Sequence, residues 1–244
     1  MTAYQDLQRR TGKKGSALFA SLGCKDGEEH CLLDRASLDD GTKKELRTYL
    51  RPKYPKAWET KPDTWLDNYN IGHVMKQYEE AFPWFKFMGT FPIDFSAPDP
   101  YHKETPKCLH AELCTLNLRA EYDKGRRGIG MVFNLDPHYK GGSHWVALYI
   151  NLEDIAAPFI GYCDSYGMET PKLIARFMKA FTLQIPGCIL GFNARRFQYS
   201  NTECGMYSVY FLICMIQGIS FTNFCKEATK DATMLALRKI IFEK

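Results

Sequence analysis

The chain lacks any apolar run approaching the roughly 18 residues that a membrane-spanning helix requires. Its opening, Met1-Thr2-Ala3-Tyr4-Gln5-Asp6, lacks the basic-then-apolar layout of a secretory leader. No internal repeat and no low-complexity tract is present, which sets aside repeat arrays. None of the nine cysteines stands in a C-x-x-C pair. Two local groups, Cys24 with His30 and Cys31, and Cys108 with His110 and Cys114, therefore lack the paired spacing of a zinc site. No metal and no cofactor is expected. An odd, scattered set of cysteines, several inside apolar segments (Cys163, Cys188, Cys214), fits mostly free thiols better than a disulfide framework. The expectation is a soluble protein of an intracellular, reducing compartment.

What is present is ordinary for a globular protein. The 244 residues are 45% hydrophobic and 25% charged, enough for one large domain or a core plus a small accessory region. The net charge of +4 is unevenly placed: residues 1–62 hold 13 Lys and Arg against 9 Asp and Glu, and the remainder 19 against 19. A basic arm of this kind is either a solvated surface or a contact for an acidic partner such as nucleic acid. Clustered prolines at Pro52, Pro55 and Pro62 break helical order and place a boundary between an N-terminal arm (1–62) and a core (63–244).

Helical periodicity predicts helices over Ser37–Tyr49, capped by Ser37, and over about Asp63–Ala81, capped by Asp63, with Trp65, Leu66, Tyr69, Val74 and Tyr78 inward. Residues 82–128 read as irregular. Strands are predicted over Gly130–Leu135, Ser143–Ile150, Phe159–Asp164 and Ile189–Gln198, with a turn through Lys140-Gly141-Gly142. Helices are predicted over Thr170–Leu183, over Glu203–Gln217 and from about Asn223 or Thr229 to Phe242. The helix at 203–217 is apolar almost all round, so it belongs inside the fold. The whole reads as α+β.

Cys204 opens that buried helix, after Asn201 and Thr202 as capping candidates. A cysteine in a first helical turn feels the positive end of the dipole and unpaired backbone N–H groups, which favour the thiolate. The alternative is a buried structural cysteine. Among six histidines, only His144 begins a strongly β-patterned strand. If residues 143–150 and 158–164 pair antiparallel about a connection centred near Asp154, residue 144 lies opposite Asp164, close enough for a carboxylate to hold an imidazole. Asp164 is equally suited to capping the turn at Ser165-Tyr166-Gly167. Gln198, six residues before Cys204, and Asn201, three before it, are rival side-chain donors to an oxyanion beside the Cys204 N–H. Gly205 leaves the backbone open to a substrate carbonyl.

Three stretches in order, Gly142-Ser143-His144-Trp145-Val146-Ala147, then Tyr162-Cys163-Asp164-Ser165, then Gln198 with Glu203-Cys204-Gly205-Met206-Tyr207, resemble the ubiquitin-like-protein (SUMO) proteases and the adenovirus-type proteases. Trp65-Leu66-Asp67-Asn68 is similar to an early motif of the same family. With Asn68-Tyr69-Asn70-Ile71, Asn201-Thr202-Glu203-Cys204-Gly205, Gly23-Cys24 and Cys31, the chain more closely resembles the polyprotein-processing proteases of African swine fever virus and related large DNA viruses. The resemblance implies a papain-like cysteine protease core, with a central mixed sheet and a buried helix starting at the nucleophile, beside a small, mainly helical N-terminal arm. It implies a Cys204–His144–Asp164 triad, Trp145 as a roof over small substrate residues, and cleavage after Gly-Gly in viral structural polyproteins within host cytoplasm and virion. The alternative it leaves open is a SUMO or ubiquitin-like deconjugase. One departure is Asp164, where the swine fever virus proteases carry Asn. Another is Asn201, where they carry Gln, so Gln198 and Asn201 both stay open as oxyanion donors.

Overall fold

The computed structural model describes residues 12–100, 107–227 and 229–243. The opening hexapeptide and His102 lie outside these. Three short helices form the first layer: α1 (Ser16–Ser21), α2 (Glu29–Arg35) and α3 (Asp40–Arg47). They bury a small cluster of their own around Leu18, Phe19, Leu32 and Ala36. Helix α3 begins later than its periodicity suggests, because Asp39, not Ser37, is the cap and accepts Thr42 N–H at 2.9 Å.

Helix α4 (Asn68–Ala81) also starts four residues beyond the expected cap. Asp67 and Asn70 form a reciprocal capping box there, each side chain taking the other's backbone N–H. Ile71, Val74 and Met75 face the core. Trp65 (45% exposed) and Tyr69 (69% exposed) do not, since both precede or flank the first turn that packs.

Five strands make one sheet in sequence order: β1 (Phe85–Pro92), β2 (Gly128–Asn134), β3 (Trp145–Asn151), β4 (Phe159–Cys163) and β5 (Ile189–Phe192). The central pairs β2–β3 and β3–β4 are antiparallel and the outer pairs are parallel. Strand β1 falls within the stretch that reads as irregular from sequence, where its parallel partner lies some forty residues ahead. Strand β5 stops at Phe192 rather than Gln198. The two short helices α5 (Ala111–Cys114) and α6 (Leu118–Asp123) complete that middle region.

Alternation along the strands sends side chains to two cores. Val132, Ala147, Tyr149 and Cys163 face α8 (Cys204–Ile216), while Met131, Phe133, Val146, Leu148, Ile160 and Tyr162 face α7 (Lys172–Gln184). The sheet is thus covered on both faces, and α8 is buried on nearly every residue. The final segment divides into α9 (Phe221–Lys226) and α10 (Asp231–Ile241). No helix among the described residues is long and apolar enough to cross a membrane.

The two cysteine groups are disulfides, Cys24–Cys31 and Cys108–Cys114, so the expectation of largely free thiols holds for five cysteines and fails for four. Their histidines are engaged elsewhere. His30 places Nε2 against the Arg51 carbonyl at 2.9 Å, and His110 packs edge-on against Phe91.

Candidate active site

His144 lies one residue before β3, its carbonyl accepting Leu135 N–H at 2.9 Å. The loop leading into it is folded around Asn134, whose Oδ1 accepts from Asp136 N and Ser143 N. Gly142 has φ +89°, and a Cβ there would sit 2.5 Å from the Asn134 amide. Only glycine fits that turn.

The β3–β4 register pairs Ala147 with Cys163 and Asn151 with Phe159, so the connection is centred on residue 155, not 154. Extending that register sets residue 144 opposite residue 166, two positions beyond the partner inferred from sequence. A shift of two keeps the same face of the sheet, and Asp164 becomes the diagonal neighbour, still within side-chain reach. His144 Nε2 lies 2.7 Å from Asp164 Oδ1, and the imidazole stacks on the Tyr166 ring at 4.7 Å and 19°.

Asp164 is 1% exposed and is held on every side. Its backbone N–H donates to Asn193 Oδ1 and its carbonyl accepts from Asn193 Nδ2, both at 2.8 Å. Its Oδ1 also accepts Tyr166 N–H at 2.8 Å, and its carbonyl accepts Gly167 N–H. It therefore both caps the turn and holds the histidine, the two roles that sequence set against each other.

Cys204 is the first residue of α8 and is buried. Neither Asn201 nor Thr202 caps the helix: Glu203 is the N-cap residue, and its side chain makes no capping bond. Burial alone would pull the His144 pKa down. Hydrogen bonds and charge from Asp164 and Cys204 outweigh it, raising the pKa from 6.5 to about 9. Because Nε2 is taken by Asp164, Nδ1 is the ring nitrogen left for the thiol. Imidazole, buried carboxylate and a thiol at a helix N-terminus can together sustain a thiolate–imidazolium pair, the state that attacks a carbonyl and then protonates a leaving amine.

Gln198 is fully buried in the loop after β5. Its Oε1 accepts from Ser165 Oγ at 2.6 Å, and its Nε2 donates to the Ser200 carbonyl at 2.9 Å and more distantly to Tyr166 Oη. In this arrangement one N–H of its amide is given to the loop backbone, and a role toward an oxyanion falls to the second N–H, which otherwise reaches only the distant Tyr166 Oη. Asn201 is solvent-exposed. Trp145 is half-buried and donates its indole N–H to the Leu66 carbonyl at 2.8 Å, beside exposed Trp65. Gly205 is buried, and a Cβ there would come within 3.0 Å of Leu66 Cβ. Its smallness thus admits Leu66, the residue that carries the Trp145 anchor.

Residues 129–244 match the model of the Ulp1 protease family, C-terminal catalytic domain. A thiol protease of Acanthamoeba polyphaga mimivirus, R355, is 29% identical over 225 residues, 88% of this chain and 68% of that protein. A SUMO-1 cysteine protease of African swine fever virus, S273R, is 30% identical over 190 residues, 72% of this chain and 67% of that one. The chain belongs to the Ulp1 protease family. As a member it is a cysteine-type peptidase of the viral, SUMO-protease-like kind. In two other African swine fever virus isolates the matched stretch spans 43% of the viral protein. Among solved structures, the African swine fever virus pS273R protease superposes with a TM-score of 0.72 over 98% of this chain and 88% of that chain, at 20% identity. The yeast Ulp1 protease domain, solved in complex with the SUMO orthologue Smt3, superposes at 0.51 over 84% of this chain and 94% of that one, at 14% identity. Both share the papain-like fold.

Several residues that shape this Ulp1-family site escaped sequence reasoning. Tyr166 under the imidazole stands in the turn after Asp164 and reads from sequence only as a turn residue, while Asn193 behind Asp164, and Asp231 and Arg238 behind the Cys204 loop, belong to segments with no local signature of a site. Glu203 and Arg238, the buried pair of opposite charge, are 35 residues apart.

Proposed function

We propose that the protein is a cysteine endopeptidase in which Cys204 attacks, His144 transfers protons and Asp164 holds the imidazole, and that it cleaves after Gly-Gly in viral structural polyproteins during particle maturation. The observation that carries this reading is the 2.7 Å contact between His144 Nε2 and buried Asp164, which leaves Nδ1 for the thiol of Cys204, a group that together with Asp164 raises the imidazole pKa. His144 takes the thiol proton and the thiolate adds to the carbonyl of the P1 glycine. The Cys204 N–H and one side-chain amide, Gln198 or Asn201, hold the oxyanion. His144 then protonates the leaving amine and activates the water that releases the acyl group. Trp145, fixed by the Leu66 carbonyl, roofs a path that admits glycine and turns away larger side chains.

The natural substrate is a polyprotein met in the host cytoplasm and virion, with the basic arm (1–62) available to an acidic or activating partner. A second reading, deconjugation of a ubiquitin-like protein, is favoured by one fact: the yeast Ulp1 domain of the same fold was solved with Smt3 bound. The experiment compares wild type and Cys204→Ala on a panel of Gly-Gly-X peptides and on a SUMO C-terminal fusion. Cleavage of the short peptides by wild type alone supports the processing protease, and cleavage of the folded fusion alone supports the deconjugase. Turnover by C204A overturns the assigned nucleophile.

A further inference from the structure

The last helix, α10, sets Asp231 and Arg238 seven positions apart and so on one face. Both point at the segment that delivers Cys204. Asp231 Oδ2 accepts Tyr199 N–H at 2.9 Å and Ser200 N–H at 2.8 Å, while its Oδ1 accepts from Tyr207 Oη, inside α8 itself. Arg238 is 3% exposed and spends its guanidinium on three partners. Nε donates to Glu203 Oε2 at 2.9 Å, Nη2 to the Thr202 carbonyl at 3.3 Å, and Nη1 to the Thr64 carbonyl at 2.7 Å. Its flat face lies over Trp58, 4.4 Å from the ring centre.

Those partners are not scattered. Thr202 and Glu203 are the last two residues before Cys204, and Thr64 is the residue before Trp65, in the segment whose Leu66 carbonyl holds Trp145. A guanidinium is a rigid planar fork of five donors. Bonded at both ends, it sets the distance between the nucleophile loop and the tryptophan segment. It also pairs the Glu203 carboxylate, a negative charge one residue from the thiol and buried with it. A buried carboxylate left unpaired is costly and is the wrong sign beside a thiolate.

We propose that Arg238 is a positioning residue of the peptidase, holding Cys204 and the segment that anchors Trp145 in register through Glu203, Thr202 and Thr64. This rests on Cys204 as the nucleophile. The same face of α10 adds Asp231 as a second clamp on residues 199–200, so the helix steadies the loop at both ends.

The test uses Arg238→Lys and Glu203→Gln in the full chain, each compared with wild type and C204A. An ammonium keeps the charge beside Glu203 but cannot reach both carbonyls. A glutamine still offers an oxygen to Nε, so it removes only the negative charge and leaves both carbonyl bonds. Two readouts are taken at pH 7 on protein shown to be folded by circular dichroism: kcat and KM on the Gly-Gly-X peptide, and the rate at which iodoacetamide alkylates Cys204, followed by peptide mass. The expected result for R238K is a fall of about tenfold or more in kcat and a parallel fall in alkylation, with KM within about threefold, since small misplacements of a reacting group are expensive. E203Q falls less, by about threefold. If R238K folds and keeps both kcat and alkylation within about twofold of wild type, the arginine is a fold stabiliser only and the proposal is wrong; an E203Q that does so shows that the charge on Glu203 is not part of the clamp. Alkylation needs no substrate, so this outcome is independent of which peptide is cut. Turnover by C204A overturns the nucleophile and with it the premise of the clamp, an outcome distinct from an unchanged R238K, which overturns the clamp alone.

Discussion

Replacing Asp164 with Asn should move the alkaline limb of the pH–rate profile before it abolishes activity. In the structure a single oxygen, Oδ1, accepts from both His144 Nε2 and Tyr166 N–H. An asparagine can place its carbonyl oxygen there and keep both bonds, so the ring keeps its orientation and tautomer and loses only the facing charge. A hydrogen bond to a charged group contributes about 1.5–3 kcal/mol, which corresponds to roughly 1–2 pH units. His144 is held up to about 9, and the reacting state needs it protonated to supply the leaving amine. Wild-type kcat/KM should therefore decline on the alkaline side with a midpoint near 9. In D164N that midpoint should fall to about 7–8, with a loss of about two- to tenfold at pH 8. Asp164→Ala removes the acceptor as well and should cost about 10²-fold or more at every pH. The assay is initial rate on one Gly-Gly-X peptide from pH 6 to 10, in buffers of constant ionic strength. A D164N profile superimposable on wild type would refute the assignment of Asp164 as the group that stabilises the imidazolium.

The same linkage has a stability consequence. A folded-state His144 pKa of about 9, raised from 6.5, gives stabilisation that is complete below about pH 6.5 and lost as pH rises through 9. Urea unfolding of wild type should lose ~2 kcal/mol more than D164A between pH 6 and 9.5; equal losses would contradict it. Gly205→Ala drives a methyl into Leu66, and should cost about 1 kcal/mol net of the helix gain and lower turnover through the shifted Trp145 anchor. An unchanged melting temperature and kcat would show that Leu66 yields freely. Gln198→Ala should lower kcat by about 10²-fold if that amide serves the oxyanion, whereas Asn201→Ala on the exposed loop should stay within about threefold. The opposite order, read from kcat of the two variants, would assign the donor to Asn201.

Much of this protein is legible locally. The all-apolar run after Cys204 dictates a buried helix with the thiol in its first turn, because no surface helix tolerates that pattern. The β patterning of 143–150 and 159–164 marks two inner strands to within a residue or two of their ends, and the short, turn-forming connection between them makes their pairing antiparallel. The order His144, Asp164, Cys204 places three chemistry-bearing residues at element ends before any coordinate is known. What periodicity gives is a face, not a partner, and the tertiary structure decided the rest. Centring the β3–β4 connection on residue 155 moved the residue opposite His144 from 164 to 166, which put Tyr166 under the ring and left Asp164 to reach diagonally. Strand β1 forms only because β2 offers it a parallel edge. The cysteine groups close as disulfides because folding brings each pair within bonding range, which spacing alone did not show. Gly205 is small to admit Leu66, a neighbour 139 positions earlier. Asn193, Asp231 and Arg238 acquire their roles from contacts across tens of residues. Composition and period are short-range properties of a chain, whereas the groups that hold a buried carboxylate and aim a thiol are chosen by which distant backbone atoms packing leaves in need of a hydrogen bond.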